Sequence, residues 1–201
     1  MNAYRSLVVF GFLAAAAALG RADEGHVHDH ALAGEVGTVR FPTTCAAAVQ
    51  PDFDRAVALL HSFGYEVARQ GFVDVAGRDP RCGMAWWGVA MTYYHPIWAP
   101  PSPEELAAGR EAAEKAAKTG ASTKRERAFI DAIGAFYRDA ERLDHRARAQ
   151  AYRAAIEELA RRFPADDEAK IFQALALLGT APPNDTSYAQ PRRAAEILNP
   201  L

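Results

Sequence analysis

The chain has 201 residues, of which 50% are hydrophobic and 24% are charged, and its formal net charge is −2. This composition is typical of one globular domain with a substantial core. The near-neutral charge argues against nucleic acid or an anionic membrane surface as the main partner, because neither would attract the chain electrostatically.

The N-terminus has the pattern of a secretory signal. Arg5 supplies a positive charge, and Leu7 to Leu19 is an unbroken run of apolar and small residues. Small residues at either Ala18-Leu19-Gly20 or Gly20-Arg21-Ala22 suit cleavage. The run falls short of the roughly 20 residues that a membrane-spanning helix needs. The sequence therefore predicts a signal peptide over 1–22 and a periplasmic or secreted protein that is not inserted in the membrane after cleavage.

Residues 23–40 show no periodicity, so we expect a flexible linker between the signal and the folded domain. This stretch contains His26, His28 and His30. Alternating imidazoles suit Cu(II) or Zn(II), which makes the run a candidate metal site. A polar spacer is the alternative interpretation.

Export changes the interpretation of the two cysteines, Cys45 and Cys82. In an oxidising compartment an even number of cysteines suggests a disulfide. Cys82 lies at the start of one predicted first helix and Cys45 a few residues before the preceding one, so a bridge would join the N-terminal helix pair to the next. Two separate buried thiols remain the alternative.

The chain from Phe41 onward has a helical pattern almost throughout, and strand signals are nearly absent. The first helix shows it clearly, with apolar residues at Phe53, Ala56, Val57 and Leu60, which share one helix face. Helices are predicted over Asp52–His61, Tyr65–Ala76, Cys82–Tyr94, Glu104–Lys118, Thr123–Asp139, Asp144–Phe163, Asp166–Leu178 and Gln190–Leu198. An all-α domain over 41–201 is therefore expected.

Two helix starts carry capping signals. Ser102 is a predicted N-cap, and Pro103 is a favoured first helical residue. Asp144 is a predicted N-cap as well, and His145 after it is expected to face solvent. Because the turns between the helices are mostly short, the chain is either a helix bundle or a helical-repeat solenoid.

The spacing of large and small residues favours a tetratricopeptide-like repeat of 34 residues. In such a unit, small residues let two helices approach closely and large residues fill the gaps beside them. The predicted packing residues are Ala68, Phe72, Pro80, Trp86, Ala90 and Tyr93. About four repeats of antiparallel helix pairs would fill the chain.

Three segments also resemble a known group: "ALLHSFGYEVARQGF", "DPRCGMAWWGVAMTYYHPIW" and "RRAAEILNPL". They look like exported bacterial tetratricopeptide-repeat proteins of unassigned function. The resemblance covers about residues 36–201 and is most specific from Leu59 to Trp98. Members of that group usually continue with further repeats, so we expect this chain to be truncated at its C-terminus. Gly64 and Trp87 depart from the usual pattern.

His61 and His95 lie 34 residues apart, so they occupy equivalent positions in adjacent repeats. We expect them side by side on the concave face, where first helices line a solenoid, as part of a binding groove. The alternative is that each caps carbonyl groups at the end of its helix. The predicted partner-binding residues are Phe53, His61, Trp87, Met91, Tyr94 and His95.

No catalytic motif is present, so an enzyme is not expected. The leading hypothesis is a scaffold without a cofactor that binds a peptide or a partner protein on a concave aromatic surface. The competing hypothesis is a periplasmic protein that binds copper or zinc. Its candidate metal ligands are His26, His28, His30, His61 and His95.

Overall fold

The computed structural model describes residues 36–201, which form eight α-helices, one short 3-10 helix (Ala47–Val49) and no strand. The α-helices are α1 (Gln50–His61), α2 (Tyr65–Arg78), α3 (Gly83–Met91), α4 (Pro103–Thr119), α5 (Lys124–Tyr137), α6 (His145–Arg162), α7 (Asp167–Gly179) and α8 (Ala189–Leu198). All eight predicted helices are present, and the all-α prediction is confirmed. The third helix ends at Met91, three residues earlier than expected.

Side-chain caps define several helix starts. Ser102 and Glu105 form a reciprocal capping box at α4, and Thr123 and Glu126 form one at α5. The carboxylate of Asp144 accepts a hydrogen bond from the third backbone amide of α6. The predicted N-caps at Ser102 and Asp144 are therefore confirmed, and each satisfies amide groups that the helix itself leaves unpaired.

Each helix packs against the next one in the chain, and α3 also packs against α1 and α5. Short connections between packed neighbours make successive helices run in opposite directions, as in a helical repeat. Gly88 shows how closely α2 and α3 approach each other. A Cβ atom at Gly88 would lie 2.3 Å from the ring of Phe72, so only glycine leaves room for that ring.

The predicted packing residues divide into two groups. Ala68, Phe72 and Ala90 are fully buried, as expected. Trp86 and Tyr93 are only partly buried against the core, and Pro80 is exposed. The ammonium group of Lys115 lies 4.6 Å from the centre of the Trp86 ring. The side chain at the centre of the core is instead the neighbouring Trp87.

The C-terminal hairpin of α7 and α8 has a small core of its own, formed by Ala174, Leu177 and Ala194 with Leu178 and Ile197 beside them. Phe172 of α7 is nevertheless buried in the main core, and polar side chains also connect this hairpin to the rest of the molecule. Arg125 of α5 forms an ion pair with Asp166 at the start of α7. None of the helices within residues 36–201 is long and apolar enough to cross a membrane.

Candidate functional site

Residues 36–46 precede the first helix and contain no helix or strand; we call them the strap. Phe41 of the strap is completely buried. Its ring centre lies 5.6 Å from that of Phe53, 5.2 Å from Trp87 and 4.9 Å from Phe129. The strap therefore contributes one ring to the interior of the helical domain, between α1, α3 and α5.

Six rings form what we call the aromatic cluster: Phe41, Phe53, Phe72, Trp87, Phe129 and Phe172. Trp87 is at its centre, because the ring centres of the other five lie within 6.4 Å of it. Only 1% of Trp87 is exposed. Edge-to-face and tilted contacts of this kind add to the free energy that burial of the rings supplies.

Side chains of α1 hold the backbone of the strap beside Phe41. Asp54 accepts a hydrogen bond from the Phe41 amide at 3.0 Å, and Gln50 donates one to the Phe41 carbonyl at 2.8 Å. The side-chain oxygen of Gln50 also accepts from the Thr43 amide at 3.0 Å. These bonds recognise main-chain groups, so they do not depend on the side chains that the strap carries.

Arg125 of α5 holds the same segment from the other side. Its Nη1 donates to the carbonyl of Pro42 at 3.0 Å. The guanidinium carbon lies 4.3 Å from the centre of the Phe41 ring and 4.9 Å from that of Phe129. The ion pair with Asp166 orients this guanidinium. Arg125 thus combines a main-chain hydrogen bond with cation–π contacts to the buried rings.

Two buried carboxylates accept the last amides of the strap. Glu126 is 1% exposed and accepts from the Thr44 amide at 2.6 Å. Asp79 accepts from the Ala46 amide at 2.7 Å. The hydroxyl of Thr123 donates a further bond to Glu126 at 2.7 Å, so this carboxylate is satisfied although it is buried.

A disulfide joins Cys45 of the strap to Cys82 at the start of α3, which confirms the predicted pair. The bridge lines an open cleft of about 910 Å³ between the strap and the loop before α5. The Asp79 carboxylate and both sulfurs lie within 4.8 Å of one another. Because the sulfurs are bonded to each other, they are not available as metal ligands in this structure.

Four of the predicted partner-binding residues do not lie on an open surface. Phe53, Trp87, Met91 and Tyr94 are buried in the core. The expectation that they form an exposed groove is not met: the strap and α7 cover Trp87, and the rings of Phe136 and Tyr152 cover Tyr94. Phe41 and Phe172 occupy the space that the groove was expected to leave open.

The two histidines expected side by side have different partners. His61 Nε2 lies 2.8 Å from the Glu168 carboxylate, and its ring centre is 5.0 Å from that of Phe172. His95 packs its ring against Tyr65 at 4.4 Å. His61 therefore connects α1 to α7. Among residues 36–201 it caps no helix carbonyl, and no contact makes a metal-binding pair of the two imidazoles.

The remaining candidate metal ligands, His26, His28 and His30, lie outside the described residues, so metal binding by that run stays a prediction. In the part of the chain that the structure describes, the single group of three His, Cys, Asp or Glu ligands close enough to share an ion is Cys45, Asp79 and Cys82. It includes no histidine.

A second aromatic surface, which we call the outer patch, consists of Phe63, Tyr65, His95 and Trp98. Phe63 and Trp98 pack edge to face at 5.6 Å, and Trp98 is 59% exposed. Phe63 and His95 have positive φ angles of 59° and 47°, which non-glycine residues adopt at a cost. Burial raises the pKa of Tyr65 to about 12.

His145 is partly buried and does not face solvent as expected. Its ring lies 5.7 Å from that of Phe136, edge to face. Burial lowers the pKa of His145, and the positive charge of Arg148 lowers it further. Burial also raises the pKa of Tyr94 and Tyr152, whose rings are 4.8 Å apart. The region is a core in which the buried Arg148 guanidinium lies 5.4 Å from the centre of the Phe136 ring.

The residues that position the strap were not predicted from the sequence: Phe41, Gln50, Asp54, Arg125 and Glu126. Only Glu126 has a local signal, since Thr123 and Glu126 have the spacing of a capping box. The others act across gaps of 7 to 83 residues, which no local pattern reveals. Comparisons with protein-family models, curated proteins and solved structures found no match.

Proposed function

We propose that the protein is an exported tetratricopeptide-like scaffold of about four repeats that binds an extended peptide segment of a partner protein. The binding site is the face of α1, α3 and α5 that the strap covers. In this conformation the strap fills the site as an internal ligand. The observation that carries the proposal is that side chains of the helices bond the main chain of the strap while one buried ring anchors it.

The two kinds of contact have separate roles in peptide recognition. Main-chain bonds from Asp54, Gln50 and Arg125 would hold any extended segment, because every residue offers a carbonyl and nearly every residue an amide. The pocket around Phe41 would select an aromatic side chain, since a smaller one would leave a cavity among the rings. The strap therefore indicates the ligand class: an extended segment with one aromatic anchor.

The cellular location is part of the same proposal. The Cys45–Cys82 disulfide fits an oxidising compartment. The apolar run at the N-terminus has the length of a signal peptide. Together they support a protein that meets its partner in the periplasm or outside the cell.

The test is to empty the site and offer the strap sequence as a separate peptide. Full-length Phe41→Ala protein would be titrated with a fluorescently labelled peptide of residues 36–44, followed by fluorescence anisotropy. We expect this variant to bind the peptide at least tenfold more tightly than the wild type, whose own strap competes at high effective concentration. Circular dichroism would establish that the variant is folded.

Two controls test whether binding depends on the aromatic side chain at position 41. A peptide with alanine in place of Phe41 should bind neither protein, because the ring supplies most of the buried surface. Phe41→Leu keeps an apolar side chain in the core and should show a smaller gain in peptide binding, which covers the case that Phe41→Ala does not fold. If a folded variant binds both peptides equally, or binds neither, the proposed site is wrong.

A further inference from the structure

The disulfide links the strap covalently to the start of α3, in addition to the peptide chain that continues from the strap into α1. We propose that Cys45–Cys82 is a thiol–disulfide exchange site, at which a dithiol reductant opens the bridge and frees the strap from the aromatic cluster. The release of the strap is inferred from the position of the bridge in the structure. Its consequence, uptake of a partner peptide, rests on the proposed function.

The bridge is accessible from one side. Both cysteines line the open cleft of about 910 Å³, but Cys82 is only 1% exposed, whereas Cys45 is half-buried. Gly83 and Gly120, which carry no side chains, form part of the wall of this cleft. An incoming thiolate can therefore reach the sulfur of Cys45, while the sulfur of Cys82 is shielded.

The exchange has two steps. The incoming thiolate attacks the sulfur of Cys45, the disulfide breaks, and Cys82 leaves as a thiolate. The second thiol of the reductant, once deprotonated, attacks the reductant's own sulfur in the mixed disulfide and displaces Cys45. The reductant is thereby oxidised to a disulfide, the bridge gains two electrons, and the two protons end on Cys45 and Cys82.

The position of Cys82 favours it as the leaving group. It is the N-cap residue of α3, and no side chain caps that helix start. The positive end of the helix dipole stabilises a thiolate at this place. The Asp79 carboxylate opposes this effect, but its two oxygens accept hydrogen bonds from the amides of Ala46 and Arg81, which offset its charge.

Opening the bridge removes the firmest attachment of the strap. Phe41 lies only four residues before Cys45, and the bonds of Thr44 to Glu126 and of Ala46 to Asp79 lie next to the bridge. With the bridge closed, a strap that leaves the cluster stays beside it and returns. With the bridge open, the freed segment gains conformational freedom, so the open form becomes more populated.

Hydrogen exchange followed by mass spectrometry tests strap release directly. Full-length oxidised wild type would be compared with the same protein in dithiothreitol, and Cys45→Ser/Cys82→Ser would serve as the matched control. We expect exchange within residues 36–46 to be at least tenfold faster in dithiothreitol, while α5 and α6 still exchange far more slowly than the strap. The double variant should show the fast rate with and without dithiothreitol.

Two results would overturn the inference. Unchanged exchange in the strap, although mass analysis shows both thiols reduced, would mean that the bridge does not restrain it. Exchange in α5 and α6 that becomes as fast as in the strap would mean that the bridge maintains the whole fold and does not control the strap specifically. Both readouts use the wild-type chain, so they stand even if the double variant does not fold.

The consequence for binding is measured with the labelled peptide of residues 36–44. Reduced wild type should bind it at least tenfold more tightly than oxidised wild type does. If oxidised Phe41→Ala protein binds the peptide and reduced wild type does not, the disulfide does not control access to the site, and the proposed site stands. If neither binds it, the proposed site fails as well.

Discussion

The molecule has two aromatic regions that differ in almost every respect. The aromatic cluster around Trp87 is buried and receives Phe41 from the strap, whereas the outer patch around Trp98 is exposed. Around Phe41, hydrogen-bonding side chains hold the main chain on both sides. Within residues 36–201, no set of side chains at the outer patch holds the main chain of an extended segment in this way.

This difference shows that exposure alone does not identify a binding site. The outer patch would be chosen by exposure, since Trp98 and Phe63 are among the most exposed large apolar side chains described. The aromatic cluster has instead the features that recognise a peptide, namely a ring pocket and groups that bond main-chain atoms. Its occupation by the strap conceals it.

Substitution of Trp87 and of Trp98 should show the largest difference in stability between the aromatic cluster and the outer patch. We expect Trp87→Ala to lower the free energy of unfolding by about 3–5 kcal/mol, because five rings lose their central partner. Trp98→Ala, which removes an exposed ring, should change it by no more than about 0.5 kcal/mol. Urea denaturation of both variants measures the two values, and equal losses would contradict the assigned roles.

Loss of the disulfide should come next in size. Cys45→Ser/Cys82→Ser is expected to lower the free energy of unfolding by roughly 2–4 kcal/mol, because the unfolded chain is no longer cross-linked. Dithiothreitol should lower the stability of the wild type by a similar amount and leave the variant unchanged. A wild type that melts at the same temperature with and without its bridge would refute this expectation.

The His61–Glu168 pair should contribute less, and a double-mutant cycle with alanine at both positions measures it. We expect a coupling energy of about 1 kcal/mol, since the pair is largely buried and joins α1 to α7. The exposed pair Arg78–Asp52 is the matched control and should give less than about 0.5 kcal/mol. Equal coupling energies would show that burial does not strengthen the first pair.

The smallest expected effect is a pH dependence from His145. Its pKa is lowered in the folded state, chiefly by burial, so near pH 6 the unfolded chain binds more protons than the folded one. Stability should therefore fall as the pH decreases through about 6.5, the ordinary value for histidine. His145→Gln should flatten this slope in thermal melts between pH 7.5 and 5.5; an unchanged slope would assign it to other groups.

Much of the fold could be predicted from the sequence, because helix periodicity and caps are local. Ser102 and Asp144 were recognisable as N-caps, and Cys45 and Cys82 as a pair. The relative burial of Trp86 and Trp87 was predicted wrongly. Adjacent helical residues differ in direction by about 100°, so a small error in the repeat register exchanges the buried side chain for the partly exposed one.

The candidate site was not predictable in the same way. The sequence indicated an aromatic face on the first helices, but not that the chain itself covers it. Residues 36–40 were assigned to a flexible linker, yet Val36 and Val39 pack against the core. The bonds that fix the strap, such as that of Arg125 to Pro42, join residues far apart in the chain and depend on how the helices stack.

Nuclear Overhauser contacts between an isotope-labelled peptide of residues 36–44 and full-length Phe41→Ala protein test the central claim most directly. We predict contacts from the Phe41 ring of the peptide to the indole of Trp87 and the ring of Phe129. Contacts to Trp98 and Phe63 in their place would assign peptide binding to the outer patch. That result would contradict the proposal that the strap occupies the binding site.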